Sequence, residues 1–152
     1  MGNAKFSFLG QSESPARLQG KIRHFSVLID EPLELGGTDL APNPVEYILA
    51  GYAGCLNVVG HLIAQEQGLV LKGLEIAIEG HLNTDKLFGV SDQERAGYQS
   101  LLVRLSPETD ASPEALEKWL HTVESRCPVN DNLLNPTPIK VVLAPRLVAE
   151  AV

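Results

Sequence analysis

The sequence predicts an α+β fold in which antiparallel sheets surround long helices. Two observations lead to this class. Segments with strand-like alternation lie on both sides of a long apolar run in residues 47–64, and a second helical pattern occupies residues 112–126. Because 152 residues can bury a substantial core in one unit, we expect a single domain over residues 1–152.

The first part of the chain predicts an antiparallel meander followed by a loop. Strand candidates are residues 6–9, 17–23 and 25–29, and a Ser-Glu-Ser-Pro turn separates the first two. Residues 30–42 contain Gly36, Gly37 and two prolines, which disfavour regular structure. We therefore expect an irregular loop between the meander and the first helix.

A long apolar helix is predicted from Asn43 to about residue 67. Asn43 is a favourable N-cap, Pro44 suits the first helical position, and Glu46 completes a capping-box pattern. The helix is apolar on nearly every side, so each side needs a covering surface, and one chain of this size has little to cover them all. We therefore expect a homodimer in which sheets of both subunits wrap the central helices.

The remaining elements complete the α+β pattern. Residues 74–82 and 98–105 alternate like strands, residues 89–97 form a polar loop, and Ser112-Pro113-Glu114 opens the second helix. A short turn or helical piece is expected after Cys127-Pro128, and residues 138–143 are expected to form a final strand.

Charge and composition exclude several kinds of partner. A net charge of −7 and a pI near 5.0 argue against binding to nucleic acid or to an anionic membrane, because both require a basic face. The apolar run is about as long as a membrane span, but Asn57 and His61 interrupt it, which favours the buried helix of a soluble protein. The N-terminus lacks the pattern of a signal peptide, so we expect a cytoplasmic protein.

The chain contains two cysteines, Cys55 in the apolar helix and Cys127 before a proline. With 71 residues between them, they form no local CxxC motif, and two are too few for a disulfide framework or a four-cysteine zinc site. The four histidines show no metal-ligand spacing with them. A thiol/disulfide couple and two unrelated buried cysteines both remain possible at this point.

A reactive cysteine in an apolar helix needs a cation nearby, because burial alone raises a thiol pKa. Cys55 is about three turns from the helix N-terminus, beyond the reach of the helix dipole. Arg17, Arg23, Arg126 and His61 are the candidate cations. His61 is set aside because six residues along the helix place it on the side opposite to Cys55. For each arginine a solvated position at the end of a strand or helix is the alternative.

Several segments together resemble the OsmC/Ohr family of peroxide-detoxifying proteins. The resemblance rests on Asn-Pro-Val-Glu-Tyr-Ile-Leu-Ala-Gly-Tyr-Ala-Gly-Cys-Leu at residues 43–56, on Glu-Leu-Gly-Gly at 34–37 and on Cys-Pro-Val at 127–129. It extends over residues 22–143 in a matching order of elements. The family implies an intertwined α+β homodimer with long central helices, which agrees with the dimer inferred from the helix itself.

The resemblance also implies a function. Cys55 would be the peroxidatic cysteine that is oxidised to a sulfenic acid by an organic hydroperoxide, and Cys127 would resolve it as an intramolecular disulfide. An external dithiol, such as a protein-bound lipoyl group, would regenerate the thiols. No bound cofactor is implied, and the role would be defence against oxidative stress.

The chain departs from the family pattern at the helix start. Well-characterised members carry a glutamate directly after the opening proline, where it holds an activating arginine, whereas this chain has Val45. Glu46 comes one residue later, a rotation of about 100° around the helix, and is assigned mainly to capping. The arginine should come from the N-terminal strands, with Arg17 favoured and Arg23 as the alternative. These features indicate a divergent branch.

Two other functions remain open from the sequence. A long apolar helix wrapped by antiparallel sheet is also the architecture of hot-dog acyl thioesterases, whose catalysis does not depend on a cysteine pair. A protein that binds apolar ligands and has lost peroxidase turnover is the second alternative.

Overall fold

The computed structural model describes residues 2–144 of the chain. Within this range it contains the strands β1 Leu9–Ser12, β2 Leu18–Ile22, β3 Phe25–Ile29, β4 Gly73–His81 and β5 Ser100–Glu108, and the helices α1 Pro44–Gln67, α2 Pro113–Arg126 and α3 Pro128–Leu134. Both sheets are antiparallel, with strand orders β1-β2-β3 and β4-β5. The predicted α+β class is confirmed.

The chain divides into two compact units. Of the described residues, the first unit holds 2–48 together with 138–144, and the second holds Leu49–Thr137. Helix α1 begins in the first unit and continues through the second.

The meander of the first unit matches the expectation except at β1. The turn after this strand is closed by bonds from the N–H groups of Glu13 and Ser14 to the Arg17 carbonyl, which places Ser12 opposite Leu18. Pairing therefore extends from the turn back to Leu9, and the expected strand at residues 6–9 is displaced. The turn, and not the apolar alternation of residues 6–9, sets the paired segment.

The loop after β3 contains one regular feature that the sequence did not predict. Residues Leu33–Leu35 form a single 3-10 turn, which ends at Gly36 in the left-handed region with φ 83°. Gly37 packs so closely that a Cβ atom there would lie 1.8 Å from the Glu31 carbonyl oxygen. The two glycines thus permit a compact loop that larger residues would prevent.

Helix α1 has one face packed by its own chain and another face exposed. Its buried residues are Tyr52, Leu56, Val59, Gly60, Ile63 and Ala64. Val58 and Leu62, in contrast, are 66% and 45% exposed. Among the described residues α1 is the one helix long and apolar enough to cross a membrane, a criterion that core helices also meet.

The second unit packs α1 against α2 and the β4–β5 hairpin. Trp119 is almost fully buried, and its indole N–H donates to the Gly60 carbonyl of α1 over 2.8 Å. The hydroxyl of Ser112 caps α2 by accepting from the Ala115 N–H, as the sequence predicts. The second helix and both strand candidates of this unit are confirmed, and the helical piece after Cys127 is α3.

The expected final strand at residues 138–143 is absent from the described structure. No described strand pairs with this segment, and Ile139 and Val141 are 82% and 90% exposed. Apolar alternation is compatible with a strand, but a strand needs a neighbouring edge for its hydrogen bonds. The prediction was wrong because, within residues 2–144, this segment pairs with none of the sheet edges.

Candidate thiol site

The fold brings Cys55 and Cys127 together. The Sγ atom of Cys127 lies 3.1 Å from that of Cys55 and is placed to donate its proton. Both thiols are free. A disulfide has a sulfur–sulfur distance of about 2.05 Å, so the sulfurs need approach by only about 1 Å to form one.

Cys127 occupies the junction between two helices. It is both the C-cap of α2 and the N-cap of α3, with extended backbone at φ −79° and ψ 114°. A residue before a proline prefers this conformation. Its N–H donates to the Val123 carbonyl and its carbonyl accepts from the Asp131 N–H, both over 3.0 Å. The helix thus breaks at one residue without leaving that backbone unsatisfied.

The two thiols differ in environment. Cys127 is fully buried in the core cluster, whereas Cys55 is only partly buried at its edge. Burial raises the pKa of the Cys127 thiol, the Asn130 and Val129 N–H groups oppose the rise, and contact with Cys55 adds to it. Cys127 is therefore a neutral thiol near pH 7, consistent with its position as the donor in the sulfur–sulfur contact.

A second contact joins the elements that carry the sulfurs. The Tyr52 hydroxyl donates to Oδ1 of Asn130 over 2.5 Å, and Nδ2 of Asn130 donates to the Glu124 carbonyl over 2.9 Å. Burial raises the Tyr52 pKa, and negative charge at Cys127, Glu124 and Cys55 would raise it further. Sequence reasoning did not identify this pair. The available signal was a phenol in an apolar helix, which needs a hydrogen-bond partner when buried.

Arg17, the favoured candidate cation, is held by two side chains of the first unit. Its Nε atom lies 2.9 Å from a Glu13 carboxylate oxygen, and its Nη1 atom donates to Oγ1 of Thr38 over 3.1 Å. The guanidinium side chain is 28% exposed. Arg17 is thus oriented by the loop after β3, in addition to its own hairpin turn.

The Thr38 hydroxyl is fixed in turn by Asp30, which is fully buried. Thr38 donates to the Asp30 carboxylate over 2.6 Å, and the same carboxylate accepts from the N–H groups of Glu31, Thr38 and Leu40. The Thr38 hydroxyl and these N–H groups outweigh the effect of burial and lower the Asp30 pKa to about 2. We call these residues, Asp30, Thr38 and Arg17, the Asp30 network; sequence reasoning identified only Arg17 among them.

The other sequence-predicted residues have local partners. Arg23 lies in the turn between β2 and β3 at φ 54°, with its guanidinium carbon 5.0 Å from the Phe25 ring centre. Glu46 accepts from the Asn43 N–H over 2.8 Å, and Asn43 accepts from the Glu46 N–H over 2.9 Å. The predicted capping box is therefore confirmed.

Arg126, the candidate cation beside Cys127, is paired with an acid of α1. Its guanidinium donates to both carboxylate oxygens of Glu66, one of them over 3.1 Å. The pair is about half exposed. Among the described residues no group of three His, Cys, Asp or Glu side chains could hold a metal ion.

Comparison with known proteins identifies one family. A family model described as OsmC-like protein matches residues 37–142, more than half of the chain. Comparison with curated protein sequences finds no match.

Solved structures share the fold at low sequence identity. An OsmC-like protein from Mycoplasma pneumoniae matches with a TM-score of 0.77 and 15% identity, covering 89% of this chain and 91% of that one. An organic hydroperoxide resistance protein OsmC from Legionella pneumophila matches with 0.61 and 19%, covering 88% and 91%. One from Elizabethkingia anophelis matches with 0.63 and 16%, covering 86% and 89%.

Proposed function

Because the chain belongs to the family of OsmC-like proteins, we propose that it is a thiol peroxidase that reduces organic hydroperoxides in defence against oxidative stress. The observation that supports this most is the 3.1 Å separation of the Cys55 and Cys127 sulfurs. Two structures that share its fold belong to proteins named for organic hydroperoxide resistance.

The proposed cycle uses the two sulfurs in sequence. The Cys55 thiolate attacks the distal peroxide oxygen, the O–O bond breaks, and the alkoxide takes a proton and leaves as the alcohol. The sulfur is thereby oxidised to a sulfenic acid. Cys127 then attacks that sulfur, the S–S bond forms, and the departing hydroxide combines with the Cys127 proton to leave as water. An external dithiol reduces the disulfide to two thiols and becomes a disulfide itself.

The difference between the thiols supports this order of events. Cys55 is more accessible than Cys127, and a peroxide must reach the attacking sulfur. Cys127 keeps its proton near neutral pH because burial raises its pKa, which suits a resolving thiol that reacts second. Its distance from Cys55 lets it capture the sulfenic acid before a second peroxide does.

We assign Arg17 as the activating cation, with Arg23 as the alternative. The guanidinium of Arg17 is anchored by Glu13 and Thr38, which would take over the anchoring that other family members obtain from a helix glutamate. Glu46 would contribute through the capping box. A guanidinium favours a thiolate and the anionic oxygen that develops as the peroxide bond breaks.

The proposal includes a homodimer in the cytoplasm, with a lipoyl-type or other small dithiol as reductant and no bound cofactor.

Val58 and Leu62 leave an apolar strip on α1 that a second copy would cover. Sedimentation of the wild-type protein and of Val58→Asp tests the assembly. We expect a dimer for the wild type and a shift toward monomer for the variant, since burying an unpaired carboxylate is costly.

Mass spectrometry after one equivalent of cumene hydroperoxide tests the chemistry. We expect the reduced protein to lose two hydrogens as one Cys55–Cys127 disulfide forms, and the Cys127→Ser variant to retain a trappable sulfenic acid at Cys55. Two unmodified thiols in the wild type would refute the peroxidase, and acyl-thioester hydrolysis that survives loss of both cysteines would favour the thioesterase alternative.

A further inference from the structure

We propose that Tyr52 and Asn130 are positioning residues, which hold the Cys127 thiol at closing distance from Cys55. The hydrogen bond between them spans the same two segments that carry the sulfurs, and no sequence pattern assigns it. This inference rests on the proposed function for the use of the disulfide, but the geometry that supports it is independent of peroxide chemistry.

The first step of the argument is the weakness of the chain at Cys127. The helical backbone is interrupted there, and the Cys127 thiol is a weak N-cap: it makes no regular capping hydrogen bond, although the Val129 and Asn130 N–H groups of α3 lie close enough to its sulfur to lower its pKa. Pro128 lacks the N–H that would otherwise continue the helix. Helix α3 has only seven residues, so its own hydrogen bonds are too few to fix its direction. Cys127 is tied to α2 by its own N–H, so it is the direction of the chain after Cys127 that depends on what holds α3.

The second step is that the Tyr52–Asn130 bond provides a directional polar attachment, in addition to the packing of Val129 against the core cluster. Tyr52 lies three residues before Cys55 on α1, one turn away on neighbouring positions of the helix surface. Asn130 lies three residues after Cys127. The phenol–amide bond and the sulfur–sulfur contact therefore connect the same two elements at two points. Two points of attachment fix an orientation that one contact would leave free to pivot.

The third step concerns the remaining atoms of Asn130. Its Nδ2 atom donates to the Glu124 carbonyl, one of the last carbonyls of α2, which the helix itself leaves without a partner. The same side chain thus ties α3 to α2 as well as to α1. The phenol and the amide are neutral, so they provide this attachment without adding a charge beside the buried thiol.

Because the Tyr52–Asn130 bond holds the two segments together, we expect it to raise the effective concentration of one thiol toward the other. In the disulfide form the covalent bond holds the two segments together, whereas in the dithiol form the Tyr52–Asn130 bond does so. Loss of that bond gives freedom mainly to the dithiol form and favours it. A partly buried phenol–amide hydrogen bond such as this one corresponds to roughly a five- to tenfold change in the equilibrium constant.

The experiment equilibrates the full-length protein with mixtures of reduced and oxidised glutathione and measures the fraction of Cys55–Cys127 disulfide. For Tyr52→Phe and Asn130→Ala we expect the effective concentration to fall roughly five- to tenfold, and a tenfold fall equals about 30 mV in reduction potential. The double variant should fall little further than Asn130→Ala, because both changes remove the same bond.

Two matched controls separate positioning from general loosening. Tyr47→Phe also removes a phenol hydrogen bond from α1, in this case the 2.6 Å bond to the Leu28 carbonyl. Asn132→Ala removes an asparagine of α3 whose Nδ2 atom donates to the Pro128 carbonyl and whose Oδ1 atom accepts from the Thr137 hydroxyl; neither bond reaches α1 or α2. Both controls should stay within about twofold of the wild type. Thermal melting followed by circular dichroism verifies that each variant is folded.

The outcomes are distinct. The positioning role would be overturned if Tyr52→Phe left the effective concentration of the thiols unchanged, or if Tyr47→Phe lowered it as much as Tyr52→Phe does. It would also be overturned if the effects of Tyr52→Phe and Asn130→Ala were fully additive in the double variant, or if the wild type formed no disulfide. A protein that follows the expected glutathione equilibria but consumes no hydroperoxide would refute the peroxidase and leave the positioning role intact.

Discussion

The thiol site and the Asp30 network handle buried polar groups in opposite ways. Asp30 is a fully buried carboxylate held by four different donor groups, and its pKa is lowered to about 2 because those donors stabilise the charge. Cys127 is equally buried, but its pKa is raised, and its side chain remains neutral. A charged group in the interior needs many fixed partners, whereas a neutral thiol needs few and can move.

This difference fits the tasks proposed for the two regions. The sulfurs must approach by about 1 Å and separate again in each cycle, so their surroundings should hold them near each other without trapping either one. The Asp30 network should instead keep Arg17 in one orientation throughout. The thiol site is thus expected to be neutral and mobile, and the Asp30 network charged and rigid.

Replacing the attacking sulfur should give the largest effect. Cys55→Ser should reduce hydroperoxide consumption with a dithiol reductant to the uncatalysed rate, because a hydroxyl is a far weaker nucleophile than a thiolate. Cys127→Ser should still consume about one equivalent of peroxide and then turn over slowly. Equal activity in the Cys55→Ser variant and the wild type would show that Cys55 is not the attacking sulfur.

Replacing the candidate cation should give the next largest effect. Arg17→Ala should slow the reaction of reduced protein with hydroperoxide roughly a hundred- to thousandfold, as is typical when one group that stabilises developing charge is lost. Arg23→Ala is the matched control and should change the rate less than about twofold, since the Arg23 guanidinium lies over the exposed ring of Phe25. The reverse order of the two effects would transfer the role to Arg23.

Acid should weaken the Asp30 network before it affects the thiols. The folded-state pKa of Asp30, about 2, lies below the value of about 3.9 in an unfolded chain. Its contribution to stability is therefore complete above about pH 4 and is lost as pH falls toward 2. Melting temperatures between pH 6 and pH 2 should fall in that window for the wild type and less steeply for Asp30→Asn.

The same substitution should also lower the melting temperature at pH 7, because a buried amide cannot accept all four donors as well as a carboxylate does. Asp110→Asn is the matched control, since Asp110 is 89% exposed and forms a surface ion pair with Lys72. Its melting temperature should change little. Indistinguishable acid profiles for these two variants would contradict the special role of the buried carboxylate.

The smallest effect is expected at the start of α1. Asn43→Ala should lower the free energy of unfolding by about 1 kcal/mol, because it removes the cap for the Glu46 N–H. Glu46→Gln keeps an oxygen that can accept from the Asn43 N–H and should leave both stability and turnover nearly unchanged. A marked loss of turnover in Glu46→Gln would show that Glu46 does more than cap the helix.

The sequence predicted the elements whose signals are local. The capping box at Asn43 and Glu46, the α2 start at Ser112 and the break at Cys127-Pro128 depend on side chains a few residues apart, and all are present. The strand expected at residues 138–143 failed because a strand depends on a partner that the segment itself does not encode.

In the candidate site, too, the contacts without a local sequence signal were not predicted. The cysteine pair was predicted from a motif resemblance. The Tyr52–Asn130 bond joins residues 78 apart and corresponds to no periodic pattern in the sequence. The glycines and prolines of residues 30–42 correctly placed Asp30 in a loop, but its burial was not predicted, because its donors come together only when the loop is folded. Long-range polar contacts of this kind follow from packing, which local patterns do not specify.

Trp119 gives the thiol site an optical property of its own. It is the only tryptophan of the chain. Trp119, Val123 and the C-cap residue Cys127 follow one another at intervals of four residues along α2, and all three belong to the same buried cluster. An indole in such surroundings is sensitive to a change from thiol to disulfide. Its fluorescence should therefore report the redox state of the protein in real time, without an added dye or label.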